Sequence, residues 1–325
     1  MSTFFCSDYA RQAGEDVIGS AANYQTYILI ECPPPWTSDA FNSKWIPQNL
    51  QNIVEEVHSA KLPIRFLLIA NDVSHKVNYT TVLIYQKQEG LSHGYSKYEF
   101  KLPNIEQVAP FIKKWLSGKI SDDEVKSNAT RDILVCTHGS HDQCCARYGN
   151  PFYFYANASI SNLYLDNVRI WKSSHFGGHR FAPTAIDFPE GRYYGVLDQE
   201  SFHSILTRSG DIQCLNKVYR GWGILPPVMQ ILERELMFRH GWNWLNYQVT
   251  GKIIEQSLDN KTILGELCFE DSNGSLYTYQ AKFVKDETKT LELKGSCNSK
   301  QTSVFMKYTI ANICLASTKV ATYST

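Results

Sequence analysis

The sequence predicts an α/β protein that ends in a small antiparallel β region. Three observations lead there. Between residues 27 and 220, short apolar runs of strand length alternate with segments whose apolar residues recur at helical spacing. Two of those runs end directly at loops rich in cysteine and histidine. Residues 261–316 instead alternate apolar and polar side chains around turn sequences, the period of a half-buried sheet.

Tyr27-Ile-Leu-Ile-Glu31 reads as a short strand, stopped by Pro33-Pro34-Pro35, which cannot donate to a ladder. Ile46 to Ala60 places Leu50, Ile53, Val54 and Val57 on one helical face. Arg65 to Asn71 and Thr80 to Gln86 read as buried strands, and Ile105 to Leu116 as a second helix. These elements make an N-terminal α/β domain, residues 1–125, and the polar stretch 118–130 reads as a linker. A second unit, 126–220, opens with the strand Arg131 to Cys136, whose end delivers Cys136 into a loop. Pro151 to Tyr164 fits a helix begun by proline in its first turn. Val168 to Ser174 is a strand that delivers His175. Ala185 to Phe188 and Arg192 to Leu197 flank the turn Pro189-Glu190-Gly191, and Glu200 to Arg208 closes the unit as a helix. Strand, helix, strand, hairpin, helix is the order of a thioredoxin-like fold, and α/β sheets gather their sites past strand ends. Residues 221–325 hold a helix, Pro227 to His240, and the small antiparallel sheet.

Of 325 residues, 43% are hydrophobic and 20% charged, an ordinary globular composition. The 32 basic and 32 acidic side chains cancel, so no global positive field exists, and neither nucleic acid nor a membrane is expected as a partner. The longest strongly apolar stretch, Phe66 to Ala70, is far short of the roughly 20 residues that span a bilayer. Met1 to Asp8 lacks the basic and apolar regions of a signal peptide. Nine cysteines with no paired framework suit a reducing cytoplasmic setting, where the five glycosylation sequons, Asn78 and Asn128 among them, carry no weight.

Three of the nine cysteines and four of the nine histidines fall between Cys136 and His179. One box reads Cys136-Thr-His138-Gly-Ser-His141-Asp-Gln-Cys144-Cys145, the other His175-Phe-Gly-Gly-His179-Arg180. Thiolate and imidazole together suit zinc or an iron–sulfur cluster, so this is a metal centre first. For zinc, Cys136 with Cys144 or Cys145 is a loosely spaced pair, whereas His175 and His179 are suitably close. Cys136-Thr-His138 looks like a first Rieske box, yet no cysteine accompanies His175 or His179, so a strict Rieske centre fails.

The paired boxes, followed by Phe181-Ala182 and the Tyr193-Tyr194-Gly195 turn, resemble the sucrase/ferredoxin-like family of thioredoxin-like [2Fe-2S] ferredoxins. Phe5-Cys6-Ser7, Glu31-Cys-Pro-Pro-Pro-Trp36 and Tyr219-Arg-Gly-Trp-Gly223 extend the resemblance over roughly residues 4–245, leaving the C-terminal sheet outside it. The resemblance implies a [2Fe-2S] cluster with one iron on two cysteines and the other on two histidines, which by position are Cys136, Cys145, His175 and His179. It favours Cys145 over Cys144. No carboxylate pair of the kind a glycosidase needs accompanies these boxes.

Two neutral ligands in place of thiolates raise a cluster's potential, and a ligating imidazole keeps a second nitrogen that couples reduction to protonation. The expected function is therefore intracellular electron transfer with a redox partner protein or a small-molecule donor or acceptor, an electron carrier more than a catalyst. The alternatives are a thiol–disulfide oxidoreductase, which lacks a Cys-x-x-Cys helix start, and a zinc-stabilised binding module. His138, Cys144, Gly177, Gly178 and Arg180 are expected around the ligands rather than among them, with the two glycines letting backbone amides approach the sulfurs. Cys6, Cys32, Cys214, Cys268, Cys297 and Cys314 read as isolated buried residues, His58 and His75 as ordinary histidines, and Trp171 as a core aromatic.

Overall fold

A computed structural model describes residues 4–72, 78–120 and 129–321. His75, Asn128, the start of the N-terminal segment and most of the expected linker lie outside them. The fold is mixed α/β, with a large sheet flanked by helices and a separate antiparallel sheet toward the C-terminus. It divides into two compact units. One comprises Tyr24–Lys87 and Ser96–Pro189; the other comprises the described residues up to Asn23, Gln88–Tyr95, and those from Glu190 onward.

The unit that begins at Tyr24 is built from a repeated strand–helix–strand–strand pattern. After a short helix α1 (Cys6–Gln12) in the other unit come β1 (Thr26–Glu31), α2 (Gln48–Ser59), β2 (Ile64–Ala70), β3 (Thr80–Lys87), β4 (Tyr95–Leu102) and α3 (Val108–Leu116). β5 (Arg131–Cys136), α4 (Gln143–Asn162), β6 (Val168–Ser173) and β7 (Ala185–Phe188) repeat the first four steps. In each set the two strands joined by the helix run parallel and the next strand returns antiparallel on the far side of the first: β1 beside β2 and β3, β5 beside β6 and β7. Parallel neighbours need such a crossover helix. The sets join where β2 meets β6 antiparallel, Ile69 opposite Ser173 and Ala70 opposite Lys172. Strands buried on both faces read as continuous apolar runs, which is why Ile28 to Ile30, Leu67 to Ile69 and Ile133 to Val135 are almost wholly buried. Leu50, Ile53 and Val57 of α2 and Val108 and Ile112 of α3 cover one face of the first set.

The sequence pattern missed β4, and the reason is a buried charge network. Asp132 on β5 is fully buried and accepts from Tyr85 Oη at 2.6 Å, Trp171 Nε1 at 2.7 Å and Arg169 Nε at 2.7 Å, with Lys97 Nζ at 2.5 Å. Arg169 also grips Glu99 through both terminal nitrogens. Lys97 and Glu99 lie inside β4, so a strand the fold buries carries charges that hide its apolar alternation. Burial alone would lift the Asp132 carboxyl, but the hydrogen bonds and charges of Arg169 and Lys97 hold it below the ordinary carboxylate value. Trp171 is a core residue here, as expected.

α4 also differs from expectation. It begins not at Pro151 but eight residues earlier, capped by Asp142, whose carboxylate accepts from Cys144 N at 2.9 Å. Pro151 sits inside the helix, with Asn150 Nδ2 donating to Ala146 O on the same turn. The cap outweighs the proline signal, and Cys144 and Cys145 move from a loop into a first helical turn.

The other unit continues with β8 (Arg192–Tyr194), α5 (Gln199–Thr207), β9 (Tyr219–Trp222) and α6 (Met229–His240). Asp198 and Ser201 close a capping box on α5. Arg192 is buried between Glu233, at 2.8 Å, and the Trp222 ring, at 3.8 Å. The separate sheet contains β10 (Gln248–Gln256), β11 (Thr262–Glu270), β12 (Leu276–Lys285) and β15 (Tyr308–Lys319) in that order, with β13 (Leu291–Leu293) and β14 (Ser303–Phe305) as a two-stranded ribbon. Among the supposedly isolated cysteines, Cys314 is exposed, and Cys214, Cys268 and Cys297 are half-buried. Cys6 and Cys297 are not isolated: their sulfurs are 3.6 Å apart. No helix among the described residues is long and apolar enough to cross a membrane.

Candidate metal centre

Both boxes hang from the C-terminal ends of neighbouring parallel strands, Cys136 as the last residue of β5 and His175 two residues past β6. The loop after β5 folds back at once, with His141 N donating to His138 O and Cys145 N to Asp142 O, so α4 starts within reach of the strand it follows. Gly149 makes that approach possible. A Cβ there would stand 1.9 Å from Cys136 O, so only a glycine lets the helix lie against the strand end.

The geometry brings the four expected ligands together. His175 Nδ1 lies 3.7 Å from Cys136 Sγ and 3.6 Å from Cys145 Sγ. Its other nitrogen, Nε2, is 3.4 Å from His179 Nδ1. Ligand atoms of Cys136, Cys145 and His175 form one group within 4.8 Å of one another, and those of His141, His175 and His179 form a second. Cys144 belongs to neither. These residues can hold a metal ion. Burial would raise the Cys136 thiol, but a hydrogen bond from Cys145 and the backbone amides of His138 and Phe176 bring it below the usual thiol value. That bond to Cys136, with burial added, pushes Cys145 well up. Of the two thiols, Cys136 is the one these contacts favour as thiolate. Burial, with His141, His179 and Arg65 around it, drives the His175 imidazole down to about 2, which keeps it neutral and ligand-competent at every ordinary pH.

The surrounding residues have separate tasks. His138 accepts His175 N on Nδ1 at 3.2 Å, so its Nε2–H points at Thr37 O, 2.7 Å away. With both nitrogens used, His138 braces the loop. Gly177 and Gly178 have φ of +97° and +84°, a left-handed stretch that turns the chain from His175 to the short 3-10 turn carrying His179. Arg180 stacks its guanidinium on Phe181 at 4.3 Å. Asp142, besides capping α4, sets a carboxylate oxygen 3.9 Å from His179 Nε2.

His141, the second histidine of the first box, stacks on His175 with ring centres 4.0 Å apart and 17° between planes. Sequence reasoning missed two contributors. Arg65, two residues into β2, donates to His175 O at 2.8 Å. The loop after β1 supplies Trp36 O to Ser140 and Ser38 O to His141. The signal available for that loop was Pro33-Pro34-Pro35-Trp36, which ended a strand and supported the family resemblance but was not placed beside the centre.

An α/β unit with cysteine and histidine ligands converging past adjacent strand ends defines a candidate metal protein with soft donors. The family model described as sucrase/ferredoxin-like matches residues 17–221, more than half of the chain, so the protein belongs to that family. No curated protein and no solved structure matches the chain.

Proposed function

We propose that Cys136, Cys145, His175 and His179 hold a [2Fe-2S] cluster and that the protein is an electron carrier of the cytoplasm. The observation that carries this reading is the bridging position of His175, between two sulfurs on one side and His179 on the other. The donor set fits the group: two thiols, two imidazoles, and two backbone amides aimed at the Cys136 sulfur, the kind of hydrogen bond that tunes cluster potential. When bound, such a cluster takes up and gives up one electron.

The chain's own residues do the rest. Burial of Cys136 and Cys145 excludes water from the sulfurs. His138 and Arg65 fix the backbone of His175 from both of its polar groups. His179 Nε2, beside Asp142, is the atom positioned to take a proton when negative charge arrives at the centre. The partners are a redox protein or a small-molecule donor or acceptor.

A second reading, a thiol–disulfide oxidoreductase, draws on the Cys136–Cys145 hydrogen bond, which with two backbone amides holds the Cys136 thiol below its usual value. Metal and sulfide analysis of anaerobically isolated protein separates the readings. About two irons and two acid-labile sulfides per chain are expected. Stoichiometric zinc without sulfide, or a metal-free redox-active dithiol, rejects the cluster.

A further inference from the structure

Next to the centre, and within the same unit, lies a cavity of about 570 Å³, inside the roughly 300–1,000 Å³ range of small-molecule sites. Its buried lining combines Ala40, Phe41, Val57 and Phe66, the two phenyl rings edge to face at 6.1 Å, with the polar His138 and Ser174. His141 and His175, stacked at 4.0 Å, form part of its wall, so a ligand here touches the ring that bridges the two cysteine sulfurs. Lys61 and Arg65 carry positive charge in the lining, and Asp39 and Glu55 cancel it.

We propose that this cavity binds a small, uncharged, planar electron carrier of the quinone class. The apolar part of the lining, Phe41, Val57 and Phe66, suits a flat ring, and aromatic edges favour a π face. The carbonyl oxygens of a quinone need donors, which Lys61 and Arg65 supply. The balanced charge of the lining argues against a phosphate-bearing cofactor, which would call for an excess of cations. Binding rests on the cavity alone; electron exchange rests also on the cluster reading. Reduction of a bound quinone to the hydroquinone would take two protons from water and two electrons, which a donor protein would supply one at a time through the residues that would hold the cluster.

Duroquinone is a suitable probe because its ring carbons are fully substituted and resist thiol addition. Calorimetric titration of the anaerobic protein should show saturable one-to-one binding. Leu62→Trp, at a half-exposed lining position, should weaken it at least tenfold, and Lys61→Ala, on the exposed end of the same turn, several-fold. Both variants should keep the wild-type circular dichroism and iron content. Absence of saturable binding, or equal binding by wild type and Lys61→Ala, overturns the site. Iron-loaded protein that does not bind the quinone leaves the cluster reading standing; iron-free protein that binds it leaves the cavity standing and removes the cluster.

Discussion

A Cβ on Gly149 would stand 1.9 Å from the carbonyl oxygen of Cys136. The strand end that presents one thiol and the helix that presents the other thus meet through bare backbone. Gly139 repeats the device one turn earlier, where a Cβ would come within 2.6 Å of the Ala146 methyl carbon.

Gly149→Ala should therefore separate Cys145 from Cys136. Neither backbone can yield as a flexible side chain would, so overpacking should cost at least about 1–3 kcal/mol. The expected result is a lowered melting temperature together with reduced metal content. A variant with wild-type metal content and stability would show that the helix shifts freely.

The adjacent cysteines should behave differently. Cys145→Ser removes a sulfur 3.6 Å from His175 and should abolish the visible spectrum or metal retention. Cys144 is fully buried but outside the converging group, so Cys144→Ser should keep both and lose only some stability. Absorption and metal analysis of the two variants decide it, and the opposite pattern would shift the ligand set by one residue.

Asp132→Asn tests the network that ties β3, β4, β5 and β6. It leaves Lys97, with a side chain 4% exposed, without its closest counter-charge. Breaking a buried pair from one side costs about 3–5 kcal/mol. The sign of the pH effect follows from the lowered Asp132 value. Its stabilisation is complete above the unfolded carboxylate pKa of about 3.9 and disappears as pH falls through the lower folded value. Denaturant unfolding from pH 7 to 2 should show wild type losing this contribution only below about pH 4. The variant should start lower and lose less over that range.

Reduction of the loaded centre should draw a proton to His179 Nε2. The midpoint potential should then fall by about 59 mV per pH unit across part of the accessible range, the slope for one electron and one proton. Asp142→Asn keeps a capping oxygen for α4 but removes the charge 3.9 Å from His179, so the sloping region should move to lower pH. Potentiometric titrations of both proteins measure this. A midpoint flat from about pH 5 to 10 in wild type would exclude coupling at this histidine.

Much of the frame was legible in the chain. The runs ending at Glu31, Ala70, Cys136 and Ser173 are strands because buried parallel strands need unbroken apolar stretches. The faces of α2 and α3 follow the 3.6 period. The two boxes show in sequence because cysteine and histidine are uncommon and their spacing is short.

Other features depend on specific contacts that composition and periodicity do not register. A lysine and a glutamate inside β4 suggest surface until Asp132 and Arg169, more than 30 residues on, neutralise them. Pro151 suggests a helix start until the Asp142 cap, which is a matter of local hydrogen bonding, is seen to win. By itself the sequence determined which residues can bind a soft metal and most of the segments that are strands and helices, since composition and periodicity are properties of the chain. Only the tertiary structure decided that His175 bridges two sulfurs and a second histidine, that Arg65 and the loop after β1 hold it there, and that a cavity opens beside it. Those relationships exist only once β2 and β6 pair antiparallel and bring residues more than 100 positions apart into hydrogen-bonding distance.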